Sequence, residues 1–142
     1  HETGLEVDYQ LITAEQMATE QPHQYDVVTC MELLEHVPDP ASIIRAAATL
    51  VKPDGCIVLS TLNRNVKSFM LAIVGAEYVM NMLPKGTHEY EKFLKPSELA
   101  QAARQALLEV SDISGMSYNI LTKQYRLGSD IDVNYLMTCR PQ

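Results

Sequence analysis

The 142-residue sequence predicts one α/β domain with parallel strands. Short β-branched and apolar runs alternate with stretches of helical spacing, as in a βαβ unit with a right-handed crossover. A chain of this length buries about 70% of the surface that its unfolded form exposes, which is enough for one core. We therefore expect residues 1–142 to belong to a single domain.

The first three elements are predicted in the N-terminal part of the chain. Apolar residues alternate over residues 6–12, which indicates a short strand, and a polar helical stretch follows at residues 14–20. The run YDVVTC at residues 25–30 is typical of a strand buried on both faces in a parallel sheet.

The next helix and strand complete the βαβ unit. Asp39 can cap a helix that begins at Pro40, because proline suits the first helical position. One apolar stripe at helical spacing is formed by Ile43, Ile44, Ala47, Leu50 and Val51. The sequence KPDG at residues 52–55 predicts a turn, and the run at residues 56–60 predicts a second buried strand.

The C-terminal part is predicted to hold one more helix and two strands. Pro96 opens a helix with a stripe of leucine and alanine residues. Residues 110–115 and 133–139 indicate strands, and we expect them to be antiparallel because no helical pattern separates them.

Composition excludes several function classes. Eleven basic against 18 acidic residues give a net charge of −7, so a nucleic-acid backbone is not expected as a partner. The three cysteines show no CxxC spacing, which argues against a disulfide framework or a zinc site and fits a reducing cytoplasm. The N-terminal residues lack the basic and apolar regions of a signal peptide.

The densest group of chemically active side chains directly follows the strand at residues 25–30. Glu32, Glu35 and His36 stand at positions i, i+3 and i+4, and would converge on one face of a helical turn. Two carboxylates and an imidazole suit a divalent cation or acid-base chemistry. The alternative is a solvated acidic turn in which a backbone carbonyl satisfies His36.

A long apolar stretch covers residues 67–83, with Lys67 and Glu77 as its charged residues. As a helix it would be about 25 Å long, which is too short to cross a hydrocarbon core of ~30 Å. Cationic residues flank it and favour an element lying in the membrane interface; they are Arg64, Lys67, Lys85 and Lys92. The alternative is a buried helical lid. Three tyrosines are candidates to line the same mouth or, alternatively, to pack at a sheet edge; they are Tyr118, Tyr125 and Tyr135.

Several motifs together resemble the ubiquinone biosynthesis O-methyltransferase family, within the class I S-adenosylmethionine-dependent methyltransferases. They are YDVVTCMELLEHVPDP, LVKPDG, STLNRN, VGAEYVMNMLPKGTHEYEKFLKPSEL and DVNYLM. The resemblance implies a partial Rossmann-like class I methyltransferase fold, with strands 3–7 of a seven-stranded sheet and the last strand antiparallel. It also implies that these residues are the C-terminal portion of one methyltransferase domain, with a membrane or lid insertion at residues 64–94.

The resemblance implies S-adenosylmethionine as the cofactor. Met31 matches a family position beside the cofactor, whereas Thr13 and Ala14 flank the adenine by position alone. Ordinary core filling is the alternative for Met31. No GxG pair occurs in the sequence, so we expect the glycine-rich cofactor loop and the first two strands to lie outside these residues.

The resemblance also implies the reaction, which is methylation of a phenolic or catechol-like polyprenyl intermediate. His36 is the candidate base, with Glu35 as a second catalytic residue. Glu32, Glu35 and His36 match a pattern associated in some relatives with Mg²⁺ or another divalent cation. Asn63 and Arg64 are candidate substrate contacts, and loop capping is their alternative role.

Other expectations concern partners and alternatives. The resemblance implies a peripheral position on the cytoplasmic face of the inner membrane, contact with its lipid surface and association with other ubiquinone-biosynthesis proteins. A non-catalytic membrane-docking or assembly fragment, and a methyltransferase for another small phenol, are the alternatives. With the first two strands outside these residues, the strand at residues 26–30 should expose an apolar edge, which favours pairing with a second copy or a rearranged N-terminal segment.

Overall fold

The computed structural model of this chain describes residue 4 and residues 6–65, 90–119 and 124–142. Within these residues, three α-helices and five strands follow one another along the chain. They are α1 (Ala14–Glu20), β1 (Tyr25–Met31), α2 (Pro40–Leu50), β2 (Val51–Leu62), α3 (Pro96–Gln105), β3 (Leu108–Asn119), β4 (Gln124–Gly128) and β5 (Asn134–Pro141). Short 3-10 turns occur at Leu34–His36 and Tyr90–Lys92.

The strands form one sheet in the order β1-β2-β5-β3-β4. β1 and β2 are parallel, and the other neighbouring pairs are antiparallel. The α/β fold and the antiparallel pairing of the two C-terminal strands, β3 and β5, are therefore confirmed. The short strand β4 was not predicted.

Local capping sets the starts of the first two helices. The Thr13 hydroxyl accepts a hydrogen bond from Gln16 N, and the side-chain carbonyl oxygen of Gln16 accepts one from Thr13 N. Asp39 accepts from Ser42 N at 3.2 Å, and Pro40 occupies the first turn of α2 as predicted.

The turn predicted at residues 52–55 is wrong, because these residues continue β2. The register between β1 and β2 shifts from the pair Tyr25 and Val51 to the pair Val27 and Cys56, so the extra residues are absorbed as an irregularity within the strand. Gly55 fits there because a Cβ would lie 2.6 Å from Asp26 O.

Helices cover one face of the sheet, which we call the covered face. Its buried side chains include Cys30 of β1, Ile57 and Leu59 of β2, and Tyr135, Met137 and Cys139 of β5. They form one core with Ile44 and Ala47 of α2 and Leu99 and Ala103 of α3. Helix α1 packs on α2 through Ala18, Ala46 and Leu50.

The opposite face, which we call the open face, carries the alternate residues of the same strands. On β1, β2 and β5 these residues include Val27, Thr29, Met31, Cys56, Val58, Leu136 and Thr138, all exposed or half-buried. The prediction that the strand at residues 25–30 is buried on both faces is therefore wrong, whereas Ser60 and Leu62 at the end of β2 are buried although they lie on the open face. The three helices all pack on the same side.

The strand predicted at residues 6–12 is also wrong, because this segment has no regular secondary structure and exposes Val7, Tyr9 and Leu11. A strand needs a neighbour for its backbone hydrogen bonds, and β1 pairs with β2 alone among the described strands. No helix in the described part of the chain is long and apolar enough to cross a membrane. The apolar stretch at residues 67–83 lies outside the described residues.

Candidate functional site

The candidate site lies where β1 and β2 end side by side, with Met31 paired to Ser60. Residues 32–36, which we call the acidic turn, follow directly. Glu32 has a φ of 48°, a conformation that costs a non-glycine residue about 1–2 kcal/mol. Glu32 N donates to Ser60 O at 3.1 Å and to Ser60 Oγ at 3.0 Å, and Ser60 Oγ donates to Glu32 Oε1 at 2.7 Å. These hydrogen bonds offset the strain and fix the turn.

Glu35 lies deeper in the acidic turn and is only 3% exposed. Thr61 Oγ1 donates to Glu35 Oε2 at 2.7 Å. Among the described residues Glu35 Oε1 has no hydrogen-bond partner, and it lies 3.9 Å from His36 Nε2. The His36 side chain is 45% exposed, so the imidazole reaches solvent while the carboxylate beside it is buried.

The buried charge of Glu35 acts on the core around it. Burial raises the pKa of the Cys30 thiol, and the nearby Glu35 carboxylate raises it further. Burial likewise raises the pKa of Tyr135 above its usual range, with added contributions from Glu98 and Glu35. Both groups therefore keep their protons at neutral pH. Tyr135 OH donates to Leu94 O at 2.9 Å and the residue is fully buried, so of the two alternatives for Tyr135 the structure supports packing and not a place at a mouth.

The three-ligand metal site predicted at Glu32, Glu35 and His36 does not match the structure. In the part of the chain that the structure describes, no group of three His, Cys, Asp or Glu side chains could hold a metal ion. The physical reason is the backbone, since positive φ at Glu32 and a 3-10 turn at Leu34–His36 replace the helical turn assumed for the spacing.

The predicted cofactor residues lie in two places. Met31 ends β1 on the open face and is 46% exposed, so core filling does not explain it. Thr13 and Ala14 border a groove of about 500 Å³ at the start of α1. Its other lining residues are Asp8, Gln10, Ile12, Met17, Tyr25 and Leu33. Mixed apolar walls and amide, hydroxyl and carboxylate groups suit a purine nucleoside, which presents flat apolar faces and polar edges.

Asn63 and Arg64 hold the protein's own loops. Asn63 Nδ2 donates to Ile131 O at 2.9 Å, and Arg64 Nη1 donates to Glu91 O at 3.2 Å while Arg64 also pairs with Glu98. These bonds support loop capping over substrate contact for both residues. They also contradict Arg64 as a cation available to lipid headgroups. Lys67 and Lys85 lie outside the described residues.

Sequence reasoning missed the roles of Ser60 and Thr61. Both hydroxyls stand near the end of a strand predicted to be buried, where polar side chains need hydrogen-bond partners. That requirement was the available signal, although the sequence does not show which carboxylate each hydroxyl would meet.

Comparisons with known proteins find methyltransferases. A family model described as "Methyltransferase domain" matches residues 5–112. A ubiquinone biosynthesis O-methyltransferase of Thiobacillus denitrificans is 60% identical over 140 residues, covering 99% of this chain and 60% of the relative. The protein of that name in Stutzerimonas stutzeri is 61% identical over 136 residues, covering 96% of this chain and 59% of the relative. The chain thus spans about three fifths of the length of these curated relatives.

Solved structures share the fold at low sequence identity. A SAM-dependent methyltransferase of Thermotoga maritima, described as a possible histamine N-methyltransferase, has a TM-score of 0.58 and 17% identity, covering 86% of this chain and 58% of that one. The trans-methyltransferase CalH, solved in complex with SAH, has a TM-score of 0.64 and 19% identity, covering 99% of this chain and 37% of that one. These likenesses establish the fold.

Proposed function

Because the family model matches about three quarters of its length, this chain belongs to the methyltransferase domain family, and from that premise we propose an O-methyltransferase of ubiquinone biosynthesis. The substrate would be a phenol or catechol that carries a polyprenyl tail, and the methyl donor would be S-adenosylmethionine. The observation that carries this proposal is the 60% identity over 99% of the chain to a curated relative of that name.

The groove at the start of α1 and the exposed Met31 are the proposed cofactor contacts. Thr13 and Ala14 would flank the adenine in the groove, and Met31 would contact the cofactor from the end of β1. When bound, S-adenosylmethionine supplies a methyl group activated by a sulfonium sulfur. A water-poor surrounding favours a reaction in which phenolate and sulfonium charges cancel.

His36 is the proposed base for the substrate hydroxyl. A free phenol has a pKa near ~10, so its proton must be removed for efficient attack near neutral pH. His36 is half-exposed at the carboxyl edge of the sheet, and the buried Glu35 carboxylate lies 3.9 Å from its Nε2. A carboxylate in this position stabilises the imidazolium that forms when the phenol's proton moves to the ring.

Methyl transfer by the full-length protein tests this proposal directly. A prenylated catechol and labelled S-adenosylmethionine should give the methyl ether. His36→Asn should lower kcat by about 100-fold because the proton acceptor is lost, with little change in cofactor affinity. His23→Asn is the matched control, since its ring contacts Val51 O before β1 begins, at the other end of the strand. Unchanged kcat in His36→Asn would reject His36 as the base. Cofactor binding without any methyl transfer would favour a non-catalytic docking role.

We further propose that the protein works at the cytoplasmic face of the inner membrane, beside other proteins of the same pathway. A polyprenyl tail resides in the bilayer, and the apolar stretch at residues 67–83 has the composition of an interfacial element. The residues before and after this stretch lie side by side near the end of β2, since Leu94 N donates to Leu62 O at 3.1 Å and Arg64 Nη1 donates to Glu91 O.

Vesicle sedimentation tests this location. The full-length protein should bind vesicles that contain phosphatidylglycerol, and Lys67→Glu should weaken binding severalfold because a flanking cation is reversed. Arg104→Glu, on the exposed side of α3, is the control with the same charge change. Equal binding of both variants to neutral phosphatidylcholine and anionic vesicles would contradict the electrostatic part of the proposal.

A further inference from the structure

We propose that Thr61 is a positioning residue for His36 and that it acts through the buried carboxylate of Glu35. The inference rests on the proposed function, in which His36 accepts the phenol's proton. Three side chains from two neighbouring chain segments form the arrangement, with Thr61 on β2 and the other two in the acidic turn.

Consecutive hydroxyls of β2 hold the two carboxylates of the acidic turn from opposite faces of the sheet. Side chains alternate along a strand, so Ser60 lies on the open face and Thr61 on the covered face. Ser60 Oγ donates to Glu32 and Thr61 Oγ1 donates to Glu35, each at 2.7 Å. Both hydroxyl groups belong to buried residues, which limits the directions they can take.

The Thr61 hydrogen bond determines which oxygen of the Glu35 carboxylate faces His36. One carboxylate oxygen, Oε2, is occupied by Thr61. The other, Oε1, is buried with no hydrogen-bond partner in the part of the chain that the structure describes, and it faces His36 Nε2 at 3.9 Å. A buried acceptor without a donor is unfavourable, so Glu35 Oε1 attracts a proton on Nε2. The pair can close to hydrogen-bond distance when substrate binds, as catalytic contacts often do.

This orientation has a chemical consequence for His36. A carboxylate beside Nε2 favours the tautomer with its proton on that nitrogen, so Nδ1 carries the lone pair. In the reaction the phenol O–H bond breaks and an N–H bond forms on the ring. The released oxygen electron pair then forms the bond to the methyl carbon, while the electrons of the S–CH₃ bond stay on sulfur. Glu35 balances the positive charge on the ring.

A purely structural role for the Thr61 hydroxyl is the competing explanation. The bond ties the acidic turn to β2, and its loss could loosen the turn without affecting the imidazole. Folding stability would respond in either case. The tautomer of His36 responds only if Thr61 acts through Glu35.

The experiment uses the full-length protein and compares Thr61→Val, Thr61→Ser and Thr138→Val. Valine keeps the shape of threonine without its hydroxyl, and serine keeps the hydroxyl. Thr138 lies on the open face of β5 and serves as the matched control. Steady-state kinetics with a prenylated catechol give kcat and KM, and ¹⁵N spectra of the His36 ring report its tautomer.

We expect Thr61→Val to lower kcat by about 10-fold with little change in the KM for S-adenosylmethionine, and to shift the His36 ¹⁵N signals towards a mixture of tautomers. Thr61→Ser should restore both readouts, and Thr138→Val should change neither. Loss of kcat with an unchanged tautomer would overturn the positioning role, as would an unchanged kcat.

If Thr61→Val does not fold, Glu35→Gln takes its place. The single amide oxygen can still accept from Thr61, which leaves the NH₂ group towards His36, so the preference for a proton on Nε2 should be lost. An unchanged tautomer in this variant would overturn the inference. The ¹⁵N readout does not require turnover, so it decides the positioning role even if the protein shows no methyl transfer and the proposed function fails.

Discussion

The covered and open faces are formed by alternate residues of the same strands, yet most of their side chains differ in burial. Ile57, Leu59 and Met137 on the covered face are completely buried under the helices. Val27 and Met31 on the open face remain exposed. The cysteines divide in the same way, since Cys30 and Cys139 are buried and Cys56 is only partly so.

The difference teaches that the covered face supplies most of the packing, while the candidate site draws side chains from both faces of the sheet. Packing on the covered face holds the strands in register, and this register places Ser60 beside Met31 at the carboxyl edge. The open face contributes the exposed Met31 side chain, whereas the covered face contributes Thr61 and buried Glu35. The candidate site therefore spans the edge where the two faces meet.

Substitutions at adjacent positions of β2 test the difference in burial between the covered and open faces, and they have the largest expected effect. Leu59→Ala should lower the free energy of unfolding of this chain by about 3 kcal/mol, because it removes buried methyl groups and leaves a cavity. Val58→Ala, on the open face, should cost less than about 1 kcal/mol. Urea denaturation measures both. Equal losses would contradict the assignment of Val58 to an uncovered face.

Thiol chemistry should distinguish the faces by roughly 100-fold. Burial raises the pKa of Cys139 from 9.0 to about 11, so little of this thiol ionises at pH 8. Cys56 is partly exposed and should react first with Ellman's reagent, while Cys30 and Cys139 react on unfolding. Because the folded-state pKa of Cys139 is the higher one, its contribution to stability is complete below pH 9 and disappears as pH rises through 11.

Two controls sharpen this prediction. Cys56→Ser should remove the fast reaction phase, and a fast phase that persists would contradict the division of the cysteines. Cys139→Ala should show a shallower fall in melting temperature between pH 9 and 11 than the unsubstituted chain. Calorimetric scans across this range provide the measurement.

The free edge of β1 predicts self-association of this 142-residue chain. Among the described strands β1 pairs with β2 alone, so its other edge can pair with a second copy. Val27→Lys should shift sedimentation velocity profiles from dimer towards monomer, because a charged side chain disfavours edge pairing. Thr138→Lys places the same charge on the inner strand β5 and should leave the dimer intact. Loss of the dimer in both variants would indicate pairing through the open face instead.

The smallest effect concerns the hydroxyl that fixes the start of the acidic turn. Ser60→Ala should lower the free energy of unfolding by about 1 kcal/mol, because Glu32 loses one side-chain acceptor and one donor. Ser117→Ala, at an exposed position of β3, should have almost no effect. Indistinguishable urea midpoints for the two variants would show that Ser60 does not stabilise the turn.

The sequence predicted features that depend on nearby residues. The Asp39–Pro40 start of α2 was confirmed because a helix cap uses the backbone of the next few residues. The position of the acidic turn after β1 was also readable, because a β-branched run followed by a polar segment indicates a strand end. The family motifs added the methyltransferase fold, which the comparisons confirmed.

The tertiary structure decided which strand face is covered and which side chains meet, because these features depend on residues far apart in the chain. An apolar run in the sequence does not show which face of the strand the helices cover. Residues 6–12 do not form a strand because no neighbouring strand is present among the described residues to accept their backbone hydrogen bonds. The contacts of Thr61 with Glu35 and of Tyr135 with Leu94 join segments 26 and 41 residues apart. Gly115 is a further case, since only the fold shows that a Cβ there would lie 1.7 Å from Asp130 O. Local sequence sets where elements start, whereas packing between distant segments sets which groups meet.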